Sequence, residues 1–410
     1  MSKIFVDQVD PKTATTLTLG TSGDTVSIPS GVTIANSGSA TGFGNATNFR
    51  PNVNPLLING DMAVAQRSTS VAAITTGAPG YYHTSDRWKT RNDTAGTWTQ
   101  TQEVLTADEA HEDGFSYALK LDCTTADGSL DANDMIRLMY VAEGQDLQLL
   151  KFGSSTAEAL TVSFWVKATK TGINALSMYE ETSNRSCNKT YTVDTTNTWE
   201  KKVISFPGDT SGHIDNDNTA SMWINFFIAA GTNYTSGTLN ETWATSANAN
   251  RAVGQVNNAD STSNNFHITG VQFEVGEYTS ATIPPFQHES YGNNLLRCQR
   301  YFNKDGDAIN YAADGAMGNF SFWEDAEALG YRQYPVMMRA APTMDTPTVS
   351  SGYRFHYAST VDDVSTAGII STGSAFNCYI YKNGVSGTKG GAGHASIIGT
   401  GAYVSFSAEL

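Results

Sequence analysis

The sequence predicts a mainly β protein, on three observations. Segments that alternate apolar and polar residues recur along the chain, the stretches between them are rich in Gly, Asn, Asp and Thr, and helix-period stripes are scarce. So many strands cannot share one layer, so the architecture expected is an antiparallel β-sandwich of two packed sheets. In chain order the reading is a short N-terminal β oligomerisation or docking segment (1–45), a linker (46–55), a large β-sandwich (56–287), one linking helix (288–304) and a C-terminal β-sandwich (305–410).

In the first segment, the pairs Leu17 and Leu19, Val26 and Ile28, and Val32 and Ile34 mark three short strands of period two, separated by turn-forming Gly20–Asp24 and Pro29–Gly31. Strands this short bury too little apolar surface to stand alone. Phe5, Leu17, Leu19, Val26 and Ile28 are therefore read as docking residues that pack against copies of the chain or a larger particle. A flexible leader is the alternative. The Gly-, Asn- and Pro-containing run Ser37–Pro55 reads as a linker.

The large sandwich is read from Thr97–Val104, Tyr117–Thr125, Ala159–Thr169, Trp199–Pro207, Ser221–Gly231 and Phe266–Gly276. In Ala159–Thr169, Leu160, Val162, Phe164 and Val166 share one face and Thr161, Ser163, Trp165 and Lys167 the other, so Phe164 is assigned to the core and Trp165 to the outside. In Gly270–Gly276, Val271, Phe273 and Val275 alternate with Gln272 and Glu274, the pattern of a half-buried strand. Asn59-Gly60 predicts a tight turn, and Asp86-Arg87-Trp88 sets a charge pair beside a large aromatic assigned to packing, with a ligand role as the alternative.

The helix is expected over Ser290–Lys304, with Tyr291, Leu295, Cys298 and Phe302 as its stripe and Asn293 or Asn294 as its cap. Beyond it, strands are expected at 308–313, 318–323, 353–359, 376–384 and 402–410, with Asn383-Gly384 as a hairpin turn and Tyr334–Pro347 as a strand running into an extended segment.

Several functional classes are excluded. The chain carries 25 basic against 40 acidic side chains, a formal net charge of −15, with no basic stripe for nucleic acid. It has no apolar run long enough to insert in a membrane, and Met1–Thr13 lacks the apolar core of a secretory signal. Cys123, Cys187, Cys298 and Cys378 form no CxxC pair and are read as buried thiols, with disulfides left open.

Motifs for a serine elbow, a zinc protease, a phosphate loop or a dinucleotide fold are missing, so no enzyme, catalytic residue or cofactor is expected. No metal ligands are assigned. A structural Ca²⁺ at Asp215 and Asp217, or at Asp305 and Asp307, is the weaker alternative to solvated loops. The Gly-rich run Ser386–Gly399 reads as a loop, and lone histidines such as His267 and His356 as packed or solvated. Glycan binding needs aromatic platforms with polar partners. The candidates are Trp243, set in a polar run and therefore expected outside the core, with Trp165, Trp98, Trp223 and Tyr81.

An ordered series of segments then carries a resemblance: NPLLINGDMAVAQR (54–67), YYHTSDRWK (81–89), VSFWVKA (162–168), ITGVQFEVG (268–276), PPFQHESYGNNLLRCQRYFNK (284–304) and PVMMRAAPT (335–343). Together they resemble bacteriophage tail-fibre and appendage proteins of marine type, in which a carbohydrate-binding-module-like jelly roll is followed by a CQRYY-type helix and a β-rich tip. Gln287-His288-Glu289 and Arg297 depart from the commonest wording. The resemblance implies a virion structural protein, made in the host cytoplasm and homotrimeric. It would dock on other virion proteins through its N-terminus and bind host surface polysaccharide with its jelly roll and tip. A head fibre or capsid decoration, and a fibre with glycan-depolymerase activity, are the alternatives.

Overall fold

The computed structural model describes residues 55–77, 80–306, 315–371 and 374–410. The docking residues Phe5, Leu17, Leu19, Val26 and Ile28, the strand expected at 308–313 and Asp307 lie outside them. All elements below belong to the unit Arg50–Leu410. The protein is mainly β, with a jelly-roll sandwich followed by further sheets.

The sandwich strands are β1 (Ser70–Thr76), β2 (Tyr81–Tyr82), β3 (Trp88–Val104), β4 (Tyr117–Thr125), β5 (Met135–Glu143), β6 (Leu160–Ala168), β7 (Gly172–Glu180), β8 (Arg185–Val193), β9 (Glu200–Phe206), β10 (Ala220–Ala230), β11 (Ala244–Thr245) and β12 (Asn265–Val275). Pairing is antiparallel throughout, in the order β11-β8-β7-β10-β5-β3-β4-β12-β6-β9, with β1 and β2 added on β3.

The long strand β3 joins the two layers. Its first half, Trp88–Thr94, pairs with β5, and its second half, Thr97–Val104, pairs with β4. The turn between the layers falls at Thr94 (φ 56°) and Gly96 (φ 73°). A Cβ on Gly96 would stand 2.5 Å from the Thr125 carbonyl oxygen, so the crossing needs glycine.

Between the layers, Phe164 of β6 meets Tyr191 of β8 and Phe226 of β10 edge-on, each with centroids 5.0 Å apart. Leu121, Val166 and Ile268 of one layer close on Leu138, Leu176 and Ile224 of the other. Phe164 is fully buried and Trp165 half-buried on the opposite side, as the alternation requires.

Trp88 is also core: its indole N–H donates to the Asn59 carbonyl at 2.9 Å. Asp86 and Arg87 do not pair with each other. Asp86 accepts from Gln66 and faces Arg67, whereas Arg87 turns to Glu409. The Asn59-Gly60 turn is present, with Asn59 at φ 58° and Met62 N–H bonded to the Asn59 carbonyl. β12 is buried on both faces: Gln272 and Glu274 are covered, with Gln272 Nε2 donating to the Pro284 carbonyl of the segment lying over them. His267 is packed, its Nδ1 2.7 Å from Glu103 Oε2. All four cysteines are buried free thiols.

The helix covers Tyr291–Gln299, ending earlier than expected, and its cap is Ser290, whose hydroxyl accepts from Asn293 N–H. Asn294 lies within it, buried and donating to Asp61. Phe302 leaves the stripe because the chain turns after Arg300 into a strand.

The remaining strands are β13 (Phe302–Gly306), β14 (Gly315–Glu324), β15 (Glu327–Gln333), β16 (Thr343–Asp345), β17 (Tyr353–Tyr357), β18 (Thr360–Val364), β19 (Ile369–Ser371), β20 (Asn377–Asn383), β21 (Ala392–Ile397) and β22 (Tyr403–Ser407). They form a three-stranded sheet, β13-β22-β16, and a seven-stranded sheet, β18-β17-β21-β14-β15-β20-β19, over a core that includes Phe320, Phe322, Phe355, Ile380 and Phe406.

Three sequence expectations fail here. Asn383-Gly384 is not a hairpin, because β20 and β21 are not neighbours; Gly384 N–H instead bonds the Ala326 carbonyl. Tyr334–Pro342 is irregular and tied by single bonds to Phe376, Ala375 and Arg300, which lets buried Tyr334 and Met338 plug the core without a ladder. The Gly-rich run Ser386–Gly399 contains strand β21.

The chain end returns to the sandwich. Glu409 pairs with Arg67 at 3.1 Å and Arg87 at 2.5 Å, Tyr82 Oη donates to the Leu410 main-chain oxygen at 3.0 Å, and Arg300 forks onto Glu143 at 3.0 and 2.8 Å.

Candidate functional site

Alternation along β5 and β10 sends Ile136, Leu138, Tyr140, Ile224 and Phe226 into the core. The residues between them face outward, and strand register aligns them in rows. One row runs Arg91–Arg137–Phe227 across β3, β5 and β10. The next runs Lys89–Met139–Asn225–Ser177–Asn188 across β3, β5, β10, β7 and β8. A third runs Val141–Trp223–Tyr179–Ser186. One sheet face thus combines two half-exposed aromatic rings, a floor of small polar side chains and a group of cations.

The aromatic rings are held in place. Trp223 donates its indole N–H to Glu181 Oε2 at 2.7 Å, with Lys89 Nζ 5.4 Å from its ring. Tyr179 bonds Asn184, and the Arg251 guanidinium lies 5.6 Å from the Tyr179 ring and 5.7 Å from Phe227. Arg251 arrives from the loop after residues 248–250 and donates to Ser177 Oγ at 3.3 Å.

The cations differ in their compensation. Arg91 is neutralised by Asp93 at 2.6 Å. Lys89 donates to the Leu410 main-chain oxygen at 3.2 Å. Arg137, only 7% exposed, makes no ion pair or hydrogen bond among the described residues, and its Nε is buried without a partner. The buried Asn225 Oδ1 in the adjacent row likewise accepts nothing. Burial, then the like charges of Arg251 and Arg91, hold the Arg137 guanidinium well below its ordinary range. Burial lowers Arg251 to about 10 and also lowers Lys89. Guanidinium forks, an unused amide oxygen and fixed rings are groups that recognise sugars and their substituents.

The sequence-derived platform residues separate. Trp223 is in this site. Tyr81, 54% exposed, lies on β2, which pairs with β3 at the edge of the same layer. Trp165 is on the outer face of the other layer, half-buried and bonded to Asp113 at 3.0 Å. Trp98 is fully buried and bonded to the Ala95 carbonyl. Trp243 is a correction: despite its polar neighbours it is buried against Phe152 (centroids 5.2 Å apart), and its N–H bonds the Pro207 carbonyl. A polar run does not expose a residue when the run itself folds over a core edge.

Arg137, Arg251, Tyr179 and Asn225 were not singled out from sequence. Alternation along Ser221–Gly231 places Asn225 and Phe227 beside Trp223, and Arg137 is the one charge inside the apolar run 135–142. Nothing local marks Arg251.

The acidic loops hold no metal cluster: among the described residues no group of three or more His, Cys, Asp or Glu is positioned for an ion. Asp217 bonds Thr219, Asp215 faces His213 at 3.3 Å, and Asp305 pairs with Arg332.

No protein-family model matches the chain, and no curated protein matches it. Solved structures do. The enzymatically active domain of bacteriophage CBA120 tailspike protein 4 is similar at 11% identity over 54% of this chain, with a TM-score of 0.27; the match spans only 21% of the tailspike chain. A protein described as sugar-binding from Bacteroides thetaiotaomicron is similar at 13% identity over 54% of this chain and 100% of its own, with a TM-score of 0.32. The family 11 carbohydrate-binding module of Clostridium thermocellum, in complex with a mixed-linked tetrasaccharide, is similar at 14% identity over 46% of this chain and 88% of its own, with a TM-score of 0.25. These identities are too low to carry any residue's role across.

Proposed function

We propose that the protein binds glycans at the half-exposed Trp223 of β10 and Tyr179 of β7, and does so as a bacteriophage virion protein, a tail fibre or fibre-like appendage attaching to host surface polysaccharide. The observation that carries the binding reading is the pairing of the half-exposed Trp223 and Tyr179 side by side on one sheet face. The virion role rests on the ordered series of segments from Asn54 to Thr343 and their resemblance to phage appendage proteins. Homotrimeric assembly and docking through residues 1–45 belong to the same proposal.

Binding without turnover is supported by the carboxylates at the face: Asp93 is engaged by Arg91 and Glu181 by Trp223, which leaves neither as a free acid–base pair. The test is affinity electrophoresis in host surface polysaccharide with a reducing-end assay alongside. Trp223→Ala is expected to weaken retention about tenfold, roughly 1.4 kcal/mol, while Trp165→Ala on the opposite layer leaves it unchanged. Equal loss from both variants overturns the site, and release of reducing ends overturns the non-enzymatic reading. Sedimentation of the full chain as a monomer overturns the trimer.

A further inference from the structure

One cation on this face, Arg137, makes no ion pair or hydrogen bond among the described residues. It is enclosed and flanked by Arg251 and Arg91, and the carboxylate that faces it, Asp93, is engaged by Arg91. An unpaired buried guanidinium costs several kcal/mol relative to an apolar side chain of similar size. The chain as a whole is acidic, at −15, so collecting uncompensated positive charge at one place runs against its own composition. Such a cluster suits a partner that brings the missing negative charge, and it occurs where the sugar-binding aromatic residues stand.

We infer that the ligand of this face is an acidic polysaccharide, one whose sugars carry carboxylate or sulfate groups that seat between Arg137 and Arg251. The inference rests on the glycan-binding reading above and sharpens its substrate class. The planar fork of Arg137 matches a two-oxygen anion, and the half-exposed Tyr179 and Trp223 rings take the sugar faces. Because the chain repels bulk negative charge, recognition depends on this local site and not on the overall field.

The experiment uses the full chain and two matched pairs of polymers: polygalacturonate against its methyl ester, and dextran sulfate against dextran. At least one acidic polymer is expected to bind tenfold or more tightly than its neutral counterpart, with affinity falling as salt rises; which pair discriminates identifies the acidic group. Arg137→Met is expected to abolish that preference and to raise Tm in the absence of ligand, because it removes a buried charge with no partner. Neutral polymers bound as strongly as acidic ones overturn the acidic class and leave glycan binding standing. No retention of any of the four overturns both. A fall in Tm of several degrees for Arg137→Met makes the arginine a structural element and overturns its assignment to ligand.

Discussion

Glu409→Ala tests how the end of the chain is fastened. Glu409 is 7% exposed in its side chain and serves two guanidiniums, Arg87 at 2.5 Å and Arg67 at 3.1 Å. Arg87 is fully buried and, if the carboxylate is removed, keeps the Val141 carbonyl at 2.5 Å and the Tyr301 and Tyr140 rings at 3.5 and 5.3 Å, none of them an anion. At an effective dielectric of about 20, a charge pair at about 4 Å is worth roughly 4 kcal/mol. Cutting one partner from a buried pair costs about 3–5 kcal/mol, because the other charge stays desolvated. For a cooperative unit of about 360 residues this lowers Tm by roughly 4–7 °C. Urea unfolding and calorimetry of Glu409→Ala measure both quantities. Glu409→Gln, which retains an acceptor without the charge, should fall between variant and wild type. A loss below about 1 kcal/mol in Glu409→Ala refutes the reasoning and shows that the Arg87 charge is satisfied elsewhere.

Asp86 supplies a pH-dependent prediction. Burial, partly offset by Arg67 and Gln66, pushes its carboxyl up to about 6. The unfolded chain releases this proton near pH 3.9, so the folded state holds it more tightly; the contribution is fully present below about pH 4 and lost as pH rises through about 6, an amount of roughly 3 kcal/mol. Asp86→Asn removes this slope from urea midpoints measured between about pH 4 and pH 7, and identical slopes in both proteins count against the cause. Arg137→Met should stabilise the unliganded protein by about 1–4 kcal/mol, read by urea unfolding; no gain would mean the guanidinium is adequately solvated. Gly60→Ala forces a Cβ to within 2.1 Å of the Val271 carbonyl oxygen and strains the Val271 N–H bond to Gly60, so a loss of about 1–3 kcal/mol is expected. Unchanged stability there would show that the turn yields freely.

Strand positions in the sandwich were legible because burial on one side imposes period two. Tyr117–Thr125 is β4 residue for residue, and Phe164 and Trp165 fall on the sides that alternation assigns. β5, β7 and β8 were less visible: Met135–Glu143 is buried on both faces, so the alternation of side-chain type fades, and Gly172–Glu180 and Arg185–Val193 carry small polar residues where the site floor lies. The helix was found, but its cap was misplaced, since Ser290 and Asn293 are both good caps and only the path of the preceding chain chooses between them. In the C-terminal sheets Asn383-Gly384 has the chemistry of a tight hairpin, yet pairing with β15 and β19 outweighs it.

The sequence alone determined the β class, the alternating core faces and the outward placement of Trp165, because these follow from the two-residue repeat and from the need to bury one side. Tertiary structure decided which outward residues meet. Arg91, Arg137 and Arg251 come from two strands and a loop up to 160 residues apart, and no local pattern records the register that stacks them. The same holds for Trp243, which packs edge-on against Phe152 despite its polar neighbours in sequence, and for Glu409, whose partners Arg67 and Arg87 lie over 300 residues away. Local sequence fixes which way a side chain points, whereas charge compensation depends on what the rest of the chain brings to that side.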